Sequence, residues 1–397
     1  ILQSILTGQF GEIILKNYSL KMATGPGDNF ASEVYRVSCE YIEITTNIKC
    51  ETSLIIKSMP DVGERTEMLK IFDVLERETD ALNNANPIFS KIANETFSPR
   101  CFYSTKTPFR FMILEDLKLQ NYKLADRQTG VDVHHAKLVL RKLGKYHAAS
   151  MICIENDKNF QQKFHPMLFD PKYDNTILEK VYSNGYKSFL KLLESKQANF
   201  PPELYTKIKK LEHTLLDRES KLYLEIGKIK VLMHSDFWIA NMMFKYDKDS
   251  GKPIDVIFID FQATSVGCLG IDVHHFFNTS LNADTYRNKL DELIQIYYQG
   301  LCEVLQKAEY KNIPTFDEIL HEIGAKEFHG FSMCVIGLPI ISMDKQTSAG
   351  QGEGEQFDLI LNDELSANFR DIAYNNKNYW NRVKYPMERF LKLKIFD

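Results

Sequence analysis

The tightest constraint on this chain is the run His234-Ser235-Asp236-Phe237-Trp238-Ile239-Ala240-Asn241-Met242-Met243-Phe244, followed sixteen residues later by Asp260-Phe261-Gln262. Two β-prone runs bracket it, Lys228 to Leu232 before and Ile254 to Ile259 after. The pattern sets a carboxylate, an amide and a second carboxylate along those runs. Phosphoryl transfer needs a group that orients the attacking hydroxyl, and oxygen ligands that hold Mg²⁺ against nucleotide phosphates. Asp236 suits the first task and can accept the hydroxyl proton; Asn241 and Asp260 suit the second. Asp236 alone could be a turn-stabilising residue in a hairpin, and Asp260 alone a strand-end cap. At these spacings, and with Asp260 emerging from the apolar run Val256-Ile257-Phe258-Ile259, a functional set is the better reading. The pattern points to a kinase.

Bulk properties exclude several other classes. The 397 residues, 44% hydrophobic and 26% charged, describe a globular chain able to bury a sizeable core. Its formal charge of −4 comes without long blocks of one sign, so neither a nucleic-acid surface nor a membrane surface is expected. The run around Lys207, Lys209 and Lys210 is read as a solvated helix face. Seven scattered cysteines with no C-x-x-C pair argue against a disulfide framework or a zinc site. The chain starts at Ile1-Leu2-Gln3 rather than Met, as expected if a few residues precede it. No signal pattern is visible, so cytoplasm is the expected location and the sequons at Asn17, Asn94 and Asn278 are coincidental.

The first ~120 residues read as strand-rich. Strands are expected over Ile13 to Met22, Val34 to Ile44, Ser53 to Lys57 and Phe109 to Leu114, with a turn at Gly25-Pro26-Gly27-Asp28-Asn29. One helix is expected from Glu67 to Asn83. Beyond Leu117 the period becomes helical: Val131 to Ile154, Tyr182 to Leu193, Leu204 to Leu224, Asp284 to Ala308, Thr315 to Lys326 and Asp363 to Asn375. Lys345 to Gln356 reads as a loop. The expected architecture is α+β and two-lobed. Residues 1–117 form a small β-rich lobe and 118–397 a large, mainly helical one, joined near Leu114 to Lys118.

Lys57 follows the β-branched run Leu54-Ile55-Ile56 and is expected to face the cleft, holding nucleotide phosphates. A helix carboxylate would fix it, Glu78 in this reading with Glu76 as its rival. Asn29 and Ser32 belong to a loop that could cover the phosphates, although it lacks the third glycine of the protein-kinase loop. Glu115 and Leu117 flank a linker whose backbone can read adenine, and Asp116 can cap the next turn. His234 is expected to hold the catalytic loop through backbone hydrogen bonds, and Asp272 to support that loop. His147 is read as core. The pairs His134-His135 and His274-His275 are read as ordinary surface or core residues, since adjacent side chains point apart.

Several stretches resemble the ecdysteroid kinase-like family of arthropods, within the choline and aminoglycoside phosphotransferase-like group. They are Gly27 to Val37, Lys57, Leu114-Glu115-Asp116-Leu117, Ala125 to Gly130, Lys145 to Ser150 and the two motifs above, with Trp238 and Met243-Phe244 more discriminating than the bare His-x-Asp. The resemblance implies a protein-kinase-like fold, ATP and Mg²⁺ as cofactors, and an alcohol acceptor, an ecdysteroid first. Choline, ethanolamine or a xenobiotic alcohol, and a non-catalytic binding protein on the same scaffold, remain alternatives. Two positions depart from the family pattern. Ser235 stands where Gly is usual, and is expected to serve at a negative φ with activity surviving. Ile271-Asp272-Val273 stands where Asp-Leu is usual, with the Asp kept.

Overall fold

The structure, a computed structural model, describes residues 1–23, 32–59, 73–196, 199–343 and 366–397. Strands β1 (Ile13–Met22), β2 (Glu33–Glu43), β3 (Lys49–Ser58), β4 (Cys101–Thr105) and β5 (Phe111–Glu115) form an antiparallel sheet in the order β1-β2-β3-β5-β4. Alternation drives it: Val37, Cys39, Tyr41, Leu54 and Ile113 turn to one face, where Leu6 of helix α1 (Leu2–Phe10) and Ile13 complete a small core. The register sets Val34 opposite Lys57 and Lys57 opposite Met112, which puts Lys57 in the middle strand of the sheet.

The expected helix Glu67 to Asn83 falls partly outside the described residues. Its described part is α2 (Val74–Asp80), which runs through a π-turn at Ala81–Ala85 into α3 (Asn86–Ala93). The chain therefore stays helical ten residues past the expected end. Pro87 explains this: it stands in the first turn of α3, where its missing N–H costs nothing, and the wider turn before it absorbs the geometry.

The larger part begins after the 3₁₀ turn Leu117–Gln120. A three-stranded sheet, β6 (Tyr122–Leu124), β8 (Met242–Tyr246) and β9 (Pro253–Phe258), runs in the order β6-β8-β9. Strands β7 (Lys230–Met233) and β10 (Ser265–Cys268) form a separate antiparallel pair. Around them pack α4 (Val133–Asn156), α5 (Lys158–Lys163), α6 (Thr176–Ser195), α7 (Pro202–Lys209), α8 (Leu215–Leu224), α9 (Leu269–Ser280), α10 (Ala283–Lys307), α11 (Phe316–Gly324), α12 (Glu327–Ile336), α13 (Leu338–Ile341), α14 (Ser366–Asn375) and α15 (Lys377–Lys392). A small antiparallel β lobe followed by a larger helical lobe is the α+β, protein-kinase-like, two-lobed arrangement. The seven cysteines are free thiols. No helix among the described residues is long and apolar enough to cross a membrane.

One expected helix is two. Leu204 to Leu224 breaks between α7 and α8, because Tyr186 donates its hydroxyl to the Ile208 carbonyl at 2.6 Å and Leu211 N–H takes the same oxygen at 2.9 Å. That carbonyl is lost to the i→i−4 ladder. The loop expected from Lys345 to Gln356 lies outside the described residues.

Helices α4 and α10 pack closely because two glycines allow it. A Cβ on Gly144 would meet the Tyr297 carbonyl oxygen at 2.1 Å, and one on Gly300 would meet that of Arg141 at 2.2 Å. The close contact brings His147 of α4 and Tyr297 of α10 together beneath the candidate site, Nδ1 to hydroxyl at 2.9 Å.

Candidate active site

A cleft of about 1120 Å³, open to solvent, separates the five-stranded sheet from the strands below it. Ile55 and Leu114 line it from the sheet, Leu117 from the linker, and Met243 and Ile259 from the lower strands. Lys57, Glu78, Glu115, Asp236, Asn241 and Asp260 open onto the same cleft, joined by Trp238. Apolar walls with a few convergent polar groups are the usual form of a small-molecule site.

Lys57 is only 4% exposed, and its Nζ lies 2.6 Å from Glu78 Oε2 and 2.5 Å from Asp260 Oδ1. Burial works against its charge, but the two carboxylates outweigh it and raise its pKa. Burial pushes the Glu78 carboxyl up to about 7, with Lys57 opposing. The rival Glu76 lies on the outer side of α2 and pairs with Lys106. Arg77, between the two, donates to the Thr264 carbonyl at 2.7 Å and to that of His165 at 3.1 Å, tying α2 to the segment just after Asp260.

Below the cleft, backbone pairing fixes the other groups. Met242 pairs with Phe258 across β8 and β9, and Ile259 N–H donates to the Asn241 carbonyl at 2.9 Å. Asn241 and Asp260 therefore sit side by side at the ends of neighbouring strands. Asn241 Nδ2 donates to the Asp236 carbonyl at 2.9 Å and to its Oδ2 at 2.8 Å, which turns the amide oxygen away from Asp236. That oxygen and the Asp260 carboxylate are the hard donors Mg²⁺ takes. Among the described residues no cluster of three His, Cys, Asp or Glu forms a dedicated metal cage. None is needed where phosphates complete the coordination shell, so the donor set fits the ion. Desolvation and the nearby Asp260 charge raise the Asp236 pKa.

Asp272 holds this loop from below. It is fully buried and accepts from the backbone N–H of His234 at 2.7 Å (Oδ2) and of Ser235 at 2.9 Å (Oδ1), with His147 Nε2 at 3.2 Å. Burial raises its pKa, but His147, His234 and these bonds outweigh that and leave it low. The support expected of Asp272 thus runs through backbone N–H groups, and His147 is a bonded core residue. His234 holds the loop as expected, its Nε2 2.9 Å from the Ile259 carbonyl oxygen.

Ser235 corrects an expectation. It has φ +68°, not negative. A side chain there costs about 1 kcal/mol. The Asp272 bond and the contact of Ser235 Oγ with Ser265 Oγ at 3.0 Å offset that strain. Ser235→Gly should relieve the strain and lose one hydrogen bond of about 1 kcal/mol. A urea melt should then show net stability near wild type, with turnover retained. A turnover loss above tenfold would mean the hydroxyl has a role of its own.

The linker is tied to the sheet. Asp116 caps the 3₁₀ turn through Lys118 N–H at 3.1 Å, and also accepts from Arg36 Nε and Ser53 Oγ, each at 2.6 Å. Glu115 and Leu117 are at the cleft, with Glu115 Oε1 paired to Arg100 at 3.1 Å. Ser32 is buried just before β2, and Asn29 lies outside the described residues.

Two site residues were given no role in the sequence reading. Arg36 lines the cleft while clamping Asp116, and nothing in its strand pattern marks it. His275 was read as ordinary, yet its Nε2 lies 3.7 Å from Asp236 Oδ1. His134 was also read as ordinary, and neighbouring His135 bonds Asp132 at 2.7 Å and the Tyr246 hydroxyl at 3.0 Å, a structural tie.

Comparison with known proteins follows the same lines. A family model described as the ecdysteroid kinase-like family matches residues 26–310. Comparison with curated proteins finds no match. Among solved structures, a glucosamine kinase (crystal form B) is 12% identical over 89% of this chain and 97% of its own, with a TM-score of 0.30. A glucosamine kinase in complex with glucosamine, ADP and inorganic phosphate is 13% identical over 89% and 83%, with a TM-score of 0.32. Both are too distant in shape to bear on substrate or mechanism. The family match spans well over half of the 397 residues, and the chain belongs to the ecdysteroid kinase-like family.

Proposed function

We propose that the protein is an ATP- and Mg²⁺-dependent kinase that phosphorylates an alcohol hydroxyl on a small molecule, with an ecdysteroid or related steroid as the leading acceptor. Family membership supports a small-molecule kinase. The observation that carries the proposal further is the convergence of Lys57, Glu78, Asp236, Asn241 and Asp260 on one cleft. A binding protein on this scaffold has no need to keep all of them.

In this reading the adenine lies between the apolar walls, against the linker at Glu115 to Leu117. Lys57, held by Glu78, meets the phosphates. Asn241 and Asp260 would hold Mg²⁺, which when bound neutralises charge on the β- and γ-phosphates. Lys57 now spans to Asp260, so nucleotide entry would loosen that contact and give the carboxylate to the ion. Asp236 orients the acceptor hydroxyl and takes its proton.

The test is transfer of label from γ-labelled ATP to a panel of ecdysteroids, choline and ethanolamine, with thermal shift by Mg·ATP measured alongside. The expected result is nucleotide-dependent stabilisation and a labelled steroid phosphate. Label confined to the amino alcohols would remove the steroid preference. No stabilisation by nucleotide, with stabilisation by a steroid, would favour a non-catalytic binding protein.

A further inference from the structure

The phosphate machinery leaves one group beside Asp236 without a task. His275, on α9, is 8% exposed, and its Nε2 stands 3.7 Å from Asp236 Oδ1. The other carboxylate oxygen, Oδ2, is committed to Asn241 at 2.8 Å. The Trp238 side chain also bonds this carboxylate. Oδ1 is the oxygen next to the imidazole, and Asn241 does not occupy it. A separation of 3.7 Å is too long for a direct hydrogen bond. It is short enough for one oxygen atom to lie within hydrogen-bond reach of both.

The inner side of the ring belongs to a buried polar cluster. His275 Nδ1 and His329 Nε2 have no hydrogen-bond partner among the described residues, and the two ring centroids are 5.8 Å apart. His329 Nδ1 is 2.5 Å from Glu219 Oε1, and Ser332 Oγ donates to Glu219 Oε2 at 2.7 Å. Glu219, fully buried on α8, thus fixes the ring that packs against His275. Burial, with His329 adding to it, holds the His275 pKa down to about 3, so the imidazole is neutral. A side chain this buried, with one nitrogen turned to the reactive carboxylate, has the character of a built contact.

We propose that His275 is a second contact to the acceptor: its Nε2–H donates to the same hydroxyl oxygen whose proton Asp236 Oδ1 accepts. This rests on the reading of Asp236 as the residue that meets the acceptor. As the acceptor oxygen bonds to the γ-phosphorus, the bond from that phosphorus to the β-bridging oxygen breaks and ADP leaves. The hydroxyl proton passes to Asp236, and His275 keeps its own. One donor beside one acceptor matches an alcohol, which has both a proton and a lone pair. An ammonium group has no lone pair to offer, so the pair selects hydroxyls over protonated amines.

Hydrolysis of Mg·ATP tests this without a known acceptor, because water then occupies the hydroxyl position. His275→Gln carries an amide N–H about as far as Nε2, whereas His275→Asn stops short of it. His275→Asn should lower kcat about tenfold, as for one lost positioning bond. Its KM for ATP should stay within about twofold, while His275→Gln should hold kcat within about threefold. Equal kcat in wild type and His275→Asn overturns the proposal, as does equal impairment in both variants. Asp236→Asn, run alongside, separates the two readings. Loss in Asp236→Asn without loss in His275→Asn sinks the His275 role alone. Wild-type hydrolysis in Asp236→Asn, or no nucleotide binding by the wild type, sinks both.

Discussion

Replacing Asp236 by Ala is expected to lower phosphoryl transfer about 10³-fold, within the range general-base removal gives, while Mg·ATP still binds. The separation follows from geometry. Lys57 is held by Glu78 and Asp260, and neither contact passes through Asp236. Asp236 faces the cleft with a side chain 34% exposed, so its loss opens no buried void. It also lies near Asp260, whose charge helps to raise its pKa, so removing it relieves a like-charge repulsion. The melting temperature of Asp236→Ala should therefore stay near that of the wild type, the relieved repulsion offset by the lost bonds from Asn241 Nδ2 and the Trp238 side chain. Single-turnover transfer and nucleotide titration read the two effects separately. Transfer at the wild-type rate would remove Asp236 from the chemistry.

Lys57→Met should damage both function and stability. It removes the ammonium that joins α2 to the strand end at Asp260, and leaves Glu78, 1% exposed, facing another carboxylate with no cation between them. Breaking a buried pair from one side costs about 3–5 kcal/mol, and turnover should fall at least about 10²-fold as the proposed phosphate contact is lost.

The stability loss should depend on pH, and the direction follows from Glu78. Its folded pKa is already raised to about 7 with Lys57 present, and removal of the lysine raises it further. A carboxyl with a raised folded pKa destabilises the fold where it must ionise. Its cost vanishes once the pH falls below its ordinary value near 4.3. In urea melts the deficit of Lys57→Met should be greatest well above pH 7 and shrink as the pH falls to about 7, then level off, because wild-type Glu78 takes up its own proton there. The double variant Lys57→Met/Glu78→Gln should recover much of the loss. A deficit constant with pH, or no recovery in the double variant, would show that Glu78 is not the group left stranded.

Much of this site was legible because its chemistry is local in sequence. Asp236, Asn241 and Asp260 fall at strand ends that the apolar runs before and after them announce. Lys57 stands in a β-branched run whose face the alternation gives. Those four needed no knowledge of packing beyond one strand beside the next. Glu78 was legible only as one of two carboxylates on a helix, and α2 chooses between them by turning Glu78 inward while Arg77 anchors its flank. Ser235 shows the limit in another way. A motif names the residue, but its φ of +68° follows from two backbone N–H groups drawn down to Asp272, 37 positions along the chain.

Residue types and local periods by themselves determined the α+β order of elements and marked Lys57, Asp236, Asn241 and Asp260 as the candidate set, because each depends on neighbours within a few positions. Only the tertiary structure decided which carboxylate meets Lys57 and where Leu204 to Leu224 breaks. It alone also brought His275 to Asp236, with a buried Glu219 behind the next ring. These depend on segments about twenty to over a hundred residues apart packing against one another, and no spacing along the chain encodes such a contact.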